Sequence, residues 1–152
     1  VNYVSEKGLM NGTSKNGFSP NATTTRGMIV TILARVEGVN TNGTPWYAAG
    51  QKWAMDNGIS DGTNMTGEVT REQLAAILFR FAAYRGMDAV TLRENLSSFQ
   101  DQAAISAYAV SALNWAVGEG LMQGTGDKLE PTGSATRAQV AAMLRRFMQR
   151  NF

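Results

Sequence analysis

The sequence predicts a mainly α fold in which three helix-loop-helix repeats close into a pseudo-threefold bundle. Two recurrences and one absence predict it. A Thr-Arg pair opens the same apolar helical pattern three times. An aromatic residue five positions ahead of a glycine precedes each pair. No run of residues alternates as a strand would.

The helix after each Thr-Arg pair is the clearest element. TTTRGMIVTILARVEG (Thr23 to Gly38), EVTREQLAAILFRFAA (Glu68 to Ala83) and SATRAQVAAMLRRFMQ (Ser134 to Gln149) align on their arginines. Apolar side chains then coincide three, six, seven and ten residues on: Ile29, Ile32, Leu33 and Val36; Leu74, Ile77, Leu78 and Phe81; Val140, Met143, Leu144 and Phe147. That spacing is one face of an α-helix. The preceding element reads YVSEKGLMNGT (Tyr3 to Thr13), WAMDNGISDGT (Trp53 to Thr63) and WAVGEGLMQGT (Trp115 to Thr125). Each is the end of a helix closed by a left-handed glycine, Gly8, Gly58 or Gly120. The next glycine, Gly12, Gly62 or Gly124, belongs to a tight turn, and Leu9, Ile59 and Leu121 are expected to plug the core. Thr44 reads as the N-cap of the second repeat's first helix, with Pro45 at its first helical position. ISAYAVSALNWAVGEG matches that helix, with Tyr108 at the place of Trp46.

Between the two helices, Phe18 and Leu129 read as loop anchors, whereas the shorter NMTGEV (Asn64 to Val69) has none. The linkers are Val39 to Gly43 and Gly86 to Ser97. Leu92, Leu96 and Phe99 should pack part of the second linker and its flank on the body. The repeats divide as residues 1–38, 39–96 and 97–152, together one compact domain. One such unit cannot bury its own apolar stripe, whereas three can turn their stripes to a shared axis. The first repeat has only Val1 to Lys7 of its opening helix. The chain therefore reads as a piece of a longer protein, with an upstream segment or self-association expected to fill the first repeat.

Composition narrows the function. The 152 residues are 43% hydrophobic and 17% charged, with a net charge of +2 and no long basic cluster. Nucleic acid is not an expected partner. There is no cysteine and no histidine, which removes disulfides, thiolate chemistry and the commonest general base and metal ligand. No cofactor or metal is expected, and no apolar run approaches the roughly 20 residues of a membrane span.

The recurrent arginines, Arg26, Arg71 and Arg137, carry the functional question. Each follows a capping threonine, Thr25, Thr70 or Thr136, and so stands in the first helical turn. Gln73 and Gln139 complete capping boxes there, while Met28 stands at that place in the first repeat. A cation beside the positive end of the helix dipole costs about 0.3–1 kcal/mol. The placement becomes favourable if free N–H groups and the guanidinium converge on a carboxylate or phosphate. Alternatively each arginine latches one repeat to a carboxylate of the next, such as Asp56, Asp61 or Asp101. A second arginine, Arg35, Arg80 or Arg146, lies near each helix C-terminus, where a cation is favourable anyway. Trp53 and Trp115 read as core. Trp46 and Tyr108 read as exposed beside a groove, where a ring could stack on the C–H face of a sugar acid.

Together these motifs resemble the S-layer homology family of bacterial surface proteins. The chain has FQD (Phe99 to Asp101), GLMNGT, GISDGT and GLMQGT, FSP (Phe18 to Pro20), LEP (Leu129 to Pro131), and TTRGM, VTREQ and ATRAQ. The resemblance implies three units in a pseudo-threefold α-helical domain, outside the cell at the surface or wall. It implies non-covalent anchoring to a secondary cell wall polymer, often with pyruvylated N-acetylmannosamine. Arg26, Arg71 and Arg137 would then reach the ligand's carboxylate from grooves between units. The capping threonines and the N–H groups near Gly58 and Gly120 would complete the pockets. Departures from the family pattern are Gly27 and Glu72 in place of alanine after the arginine, and Met28, Gln73 and Gln139 in place of glutamate. The grooves are therefore not expected to bind equally. Besides a wall anchor, the residues leave open a protein-interaction or surface-lattice module in which the Thr-Arg motifs are structural latches. An enzyme would have only carboxylate chemistry, and the acidic residues do not recur with the repeat.

Overall fold

The computed structural model describes residues 22–87, 96, 99–124 and 126–151. They form five α-helices: α1 (Arg26–Val36), α2 (Ala48–Asp56), α3 (Arg71–Tyr84), α4 (Val110–Gly118) and α5 (Arg137–Asn151). Two 3₁₀ turns, Gln102–Ala104 and Ala107–Ala109, precede α4. Pairing of extended backbone among the described residues is confined to isolated bridges, so the fold is mainly α. The expectations for Tyr3, Gly8, Leu9, Gly12, Phe18 and Leu92 lie outside the described residues. The chain packs as two compact units, one of Val1–Val69 with Ala135–Phe152 and one of Thr70–Ser134.

In the first unit, the residues two before each arginine form a closed ring. Thr24 N–H donates to the Ala135 carbonyl, Ala135 N–H to Val69, and Val69 N–H back to Thr24, at 3.1, 2.9 and 2.8 Å. All three residues are fully buried. Three equivalent positions thus satisfy one another's backbone groups without a sheet. Of the twelve apolar residues aligned by sequence, every one but Val36 is buried. Val36 is the last residue of α1, where the stripe runs out. Helix α1 packs on α2 with Thr31 against Gly50. A Cβ at Gly50 would lie 2.8 Å from both the Thr31 Cα and N, so only glycine permits this approach. In the second unit α3 packs on α4, and Phe79 meets Trp115 edge-on at 5.6 Å. The Gly50 and Thr31 positions align with Ala112 and Ala76, which are also small and buried.

Gly58 and Gly120 close α2 and α4 as expected, at φ of +70° and +72°. Ile59 N–H then reaches the Ala54 carbonyl, and Leu121 N–H reaches Ala116, both at 2.8 Å. These are Schellman closures, and they carry Ile59 and Leu121 into the core. Gly38 and Gly86 close α1 and α3 the same way, with Val39 N–H on Ala34 and Met87 N–H on Ala82.

Two expectations are corrected. Thr44 does not cap α2, and Pro45 is not its first residue. The Pro45 carbonyl accepts from Ala48 N–H in a turn, and the helix begins at Ala48 behind Tyr47. The second repeat's loop does have an anchor. Met65 is buried, and its carbonyl accepts from Gly27 N–H as that of Pro131 accepts from Glu72 N–H. A methionine fills there the space that a proline fills in the third repeat.

Candidate ligand-binding site

All three threonines cap their helices. Thr25 Oγ1 accepts from Met28 N–H. Thr70 and Gln73 exchange both bonds of a capping box, as do Thr136 and Gln139. The two amides before the capped one are also engaged. Arg26 and Gly27 N–H donate to the carbonyls of Gly67 and Met65, and Arg71 and Glu72 N–H to those of Gly133 and Pro131. Arg137 N–H donates to Ala22. The notion of free N–H groups waiting for an anion is thereby overturned for α1 and α3: loop carbonyls pin their first turns, leaving side chains to do any recognition there.

The arginine side chains then diverge. Arg71 is 7% exposed. Its Nε donates to the Leu129 carbonyl at 2.9 Å and its Nη2 to Gln123 at 2.8 Å. Burial lowers its pKa, while the charges of Glu130 and Asp101 pull it back up; an arginine stays protonated regardless. Asp101 does not touch Arg71 as an ion pair. Its two carboxylate oxygens accept from Leu129 and Glu130 N–H at 2.8 Å each, holding the loop whose carbonyl Arg71 uses. Partial desolvation pushes the Asp101 pKa up, but bonds from the Leu129, Glu130 and Asp101 amides, with Lys128 nearby, bring it below its ordinary value. Arg137 is 2% exposed, and burial lowers its pKa too.

Arg26 is different. Its Nη2 lies 3.4 Å from Asp61 Oδ1, and its side chain keeps 19% of its exposure. Its Nε is buried without a hydrogen-bond partner. Asp61 is well exposed and also accepts from Thr63 N–H and Oγ. Near the next residue, Gly27, the Trp46 indole stands 49% exposed. Its edge comes within 3.2 Å of where a Cβ would project from Gly27, the residue after Arg26. Arg26 with its carboxylate and Gly27 with its exposed aromatic thus stand side by side at one helix start. Tyr108, aligned with Trp46, is 54% exposed. Trp53 and Trp115 are buried, as core residues should be. Asp56 pairs with Lys52 rather than with an arginine.

Residue Glu72 was visible only as a departure from pattern. It is 4% exposed, and its carboxylate accepts from Ser106 N–H at 2.9 Å and Ser106 Oγ at 2.6 Å. Sequence gave one hint of its role, since an acid stands where the siblings have Gly27 and Ala138.

The chain matches the S-layer homology domain over residues 1–27 and 98–141. The matched residues include Arg26 and Arg137 and stop short of Arg71. The S-layer protein sap of Bacillus anthracis is 27% identical across 95% of the chain. The chain thus resembles the S-layer homology family at those two stretches and S-layer proteins along most of its length. An endoglucanase of Bacillus sp. strain KSM-635 is 29% identical across 91% of the chain. The chain spans 19% and 16% of the length of those two relatives. In structure it resembles an undecaheme cytochrome from the S-layer of Carboxydothermus ferrireducens, with TM-score 0.55 and 22% identity over 84% of the chain and 18% of the cytochrome. That likeness speaks for the fold. S-layer homology domains in S-layer proteins and cell-surface enzymes anchor to the cell wall, and the match indicates a location at the cell surface or wall. No helix among the described residues is long and apolar enough to cross a membrane.

Proposed function

We propose that the chain anchors a larger surface protein by binding an anionic, pyruvylated secondary cell wall polysaccharide, without catalysis of its own. Support for a non-catalytic role comes from the relatives: an S-layer protein and an endoglucanase share with the chain less than a fifth of their lengths. The stretch common to such different proteins is not what makes one of them an endoglucanase.

The observation that carries the ligand reading is the Arg26–Asp61 pair at the start of α1, with the exposed Trp46 against the adjoining Gly27. An exposed indole offers a face to a sugar ring, and a guanidinium that keeps 19% of its side-chain exposure offers N–H groups to a carboxylate. Asp61 holds that guanidinium weakly, at 3.4 Å, and can yield to a ligand acid. Thr25, Thr70 and Thr136 act as caps, with Gly58 and Gly120 shaping the neighbouring turns. Arg71 favours the second reading, a structural latch, because two carbonyls of the third repeat's loop use its guanidinium. Division into three repeats at 1–38, 39–96 and 97–152 remains part of this proposal.

Sedimentation with polymer-bearing cell walls tests it. Arg26→Ala and Trp46→Ala should each abolish co-sedimentation while leaving the melting temperature within a few degrees of wild type. Undiminished pelleting of the double variant would sink the ligand reading.

A further inference from the structure

We propose that Glu72 is a tethered carboxylate that closes a carboxylate site in the second repeat. Replacing it would then open a binding equivalent that the wild-type chain lacks. This inference rests on the reading that the chain binds a sugar acid.

Three observations lead to it. First, the Ser106 cradle is shown to hold a carboxylate, because one is there. Ser106 N–H and Oγ each bind a separate oxygen of Glu72, at 2.9 and 2.6 Å. The shorter distance is that of a charge-assisted O–H···O⁻ bond. Second, Glu72 is 4% exposed in the first turn of α3, where the helix dipole favours an acid but its siblings have none. The aligned residues are Gly27 and Ala138, which have no acceptor to offer. Third, Tyr108, two residues after Ser106 and aligned with Trp46, is 54% exposed. In the first unit the residue after Arg26 is Gly27, and the indole of Trp46 closes against it. In the second unit the same position fills a carboxylate-binding pair of donors from within. The residue after the motif arginine therefore decides which helix start can take an external acid.

The first test uses acetate as the probe. Melting is followed for wild type, Glu72→Ala and Glu72→Ala/Ser106→Ala in sodium acetate and in sodium chloride of equal ionic strength. Acetate should raise the melting temperature of Glu72→Ala alone, since a ligand that binds only the folded state stabilises it. If Glu72→Ala is unfolded in chloride, the same comparison reads as acetate-dependent folding. An equal response of all three proteins, or none in Glu72→Ala, would overturn the proposal. The second test is calorimetric titration with a pyruvylated N-acetylmannosamine glycoside. Glu72→Ala should bind one more equivalent than wild type, and an unchanged stoichiometry counts against the proposal. A wild type that binds no glycoside counts instead against the sugar-acid reading, and the acetate comparison then decides on Glu72 by itself.

Discussion

At the scale of the residue, three aligned arginines have come to different uses. Position in sequence put each in a first helical turn, but its neighbours set its role. Arg71 is buried and donates to two carbonyls. Hydrogen bonds to a charged group are worth about 1.5–3 kcal/mol, so Arg71→Ala should lower stability by about 2–4 kcal/mol in denaturant unfolding. Arg71→Lys should recover only part of that, because an ammonium cannot copy the fork that spans Leu129 and Gln123. Arg26→Ala should change stability little, since its partner Asp61 is exposed and such pairs contribute about 0–1 kcal/mol. The capping threonines invite a graded comparison. Thr70→Ala breaks a reciprocal box and should cost about 1–2 kcal/mol, whereas Thr25→Ala loses a single cap bond and should cost less.

At the scale of the element, glycines and loop carbonyls fix where helices stop and start. Gly120 at φ +72° ends α4 and turns Leu121 inward. Gly120→Ala should cost about 1–2 kcal/mol, the strain of a left-handed residue with a Cβ. Gly50→Ala should cost about 1–3 kcal/mol by forcing α2 from the Thr31 backbone. Thermal melts would check both. The sequence marked Gly58 and Gly120 as helix ends because an aromatic-to-glycine spacing recurs. It did not mark the start of α2, because Thr-Pro reads as a cap and first turn whether the chain goes helical at once or only after a turn. That choice rests on the Pro45 carbonyl taking Ala48 N–H. Likewise Met65 carries no loop-anchor signature, and only its burial reveals it.

At the scale of the whole molecule, stability should fall in acid in a defined way. Asp101 has a pKa below the ordinary aspartate value of 3.8. Its stabilising contribution is full above that value and is lost as pH falls through the lower folded pKa. Asp101→Asn should therefore destabilise the protein at neutral pH and flatten its stability profile in acid, measured by urea unfolding across pH. Wall attachment, if it rests on a guanidinium meeting an acid near the surface, should weaken between low and high salt.

The sequence by itself determined the helical class, the register of the three apolar stripes, the threonine caps and the family resemblance. Those depend on local periodicity and short-range hydrogen bonds, which one stretch of chain carries in full. Tertiary structure decided what each arginine meets. The Leu129 and Gln123 carbonyls come from 58 and 52 residues away, Asp61 from 35, and the Ser106 donors that hold Glu72 from 34. A repeated motif places like residues alike on their own helices. Only the packing of a distant loop against each helix start gives Arg71 two carbonyls and Arg26 an exposed carboxylate.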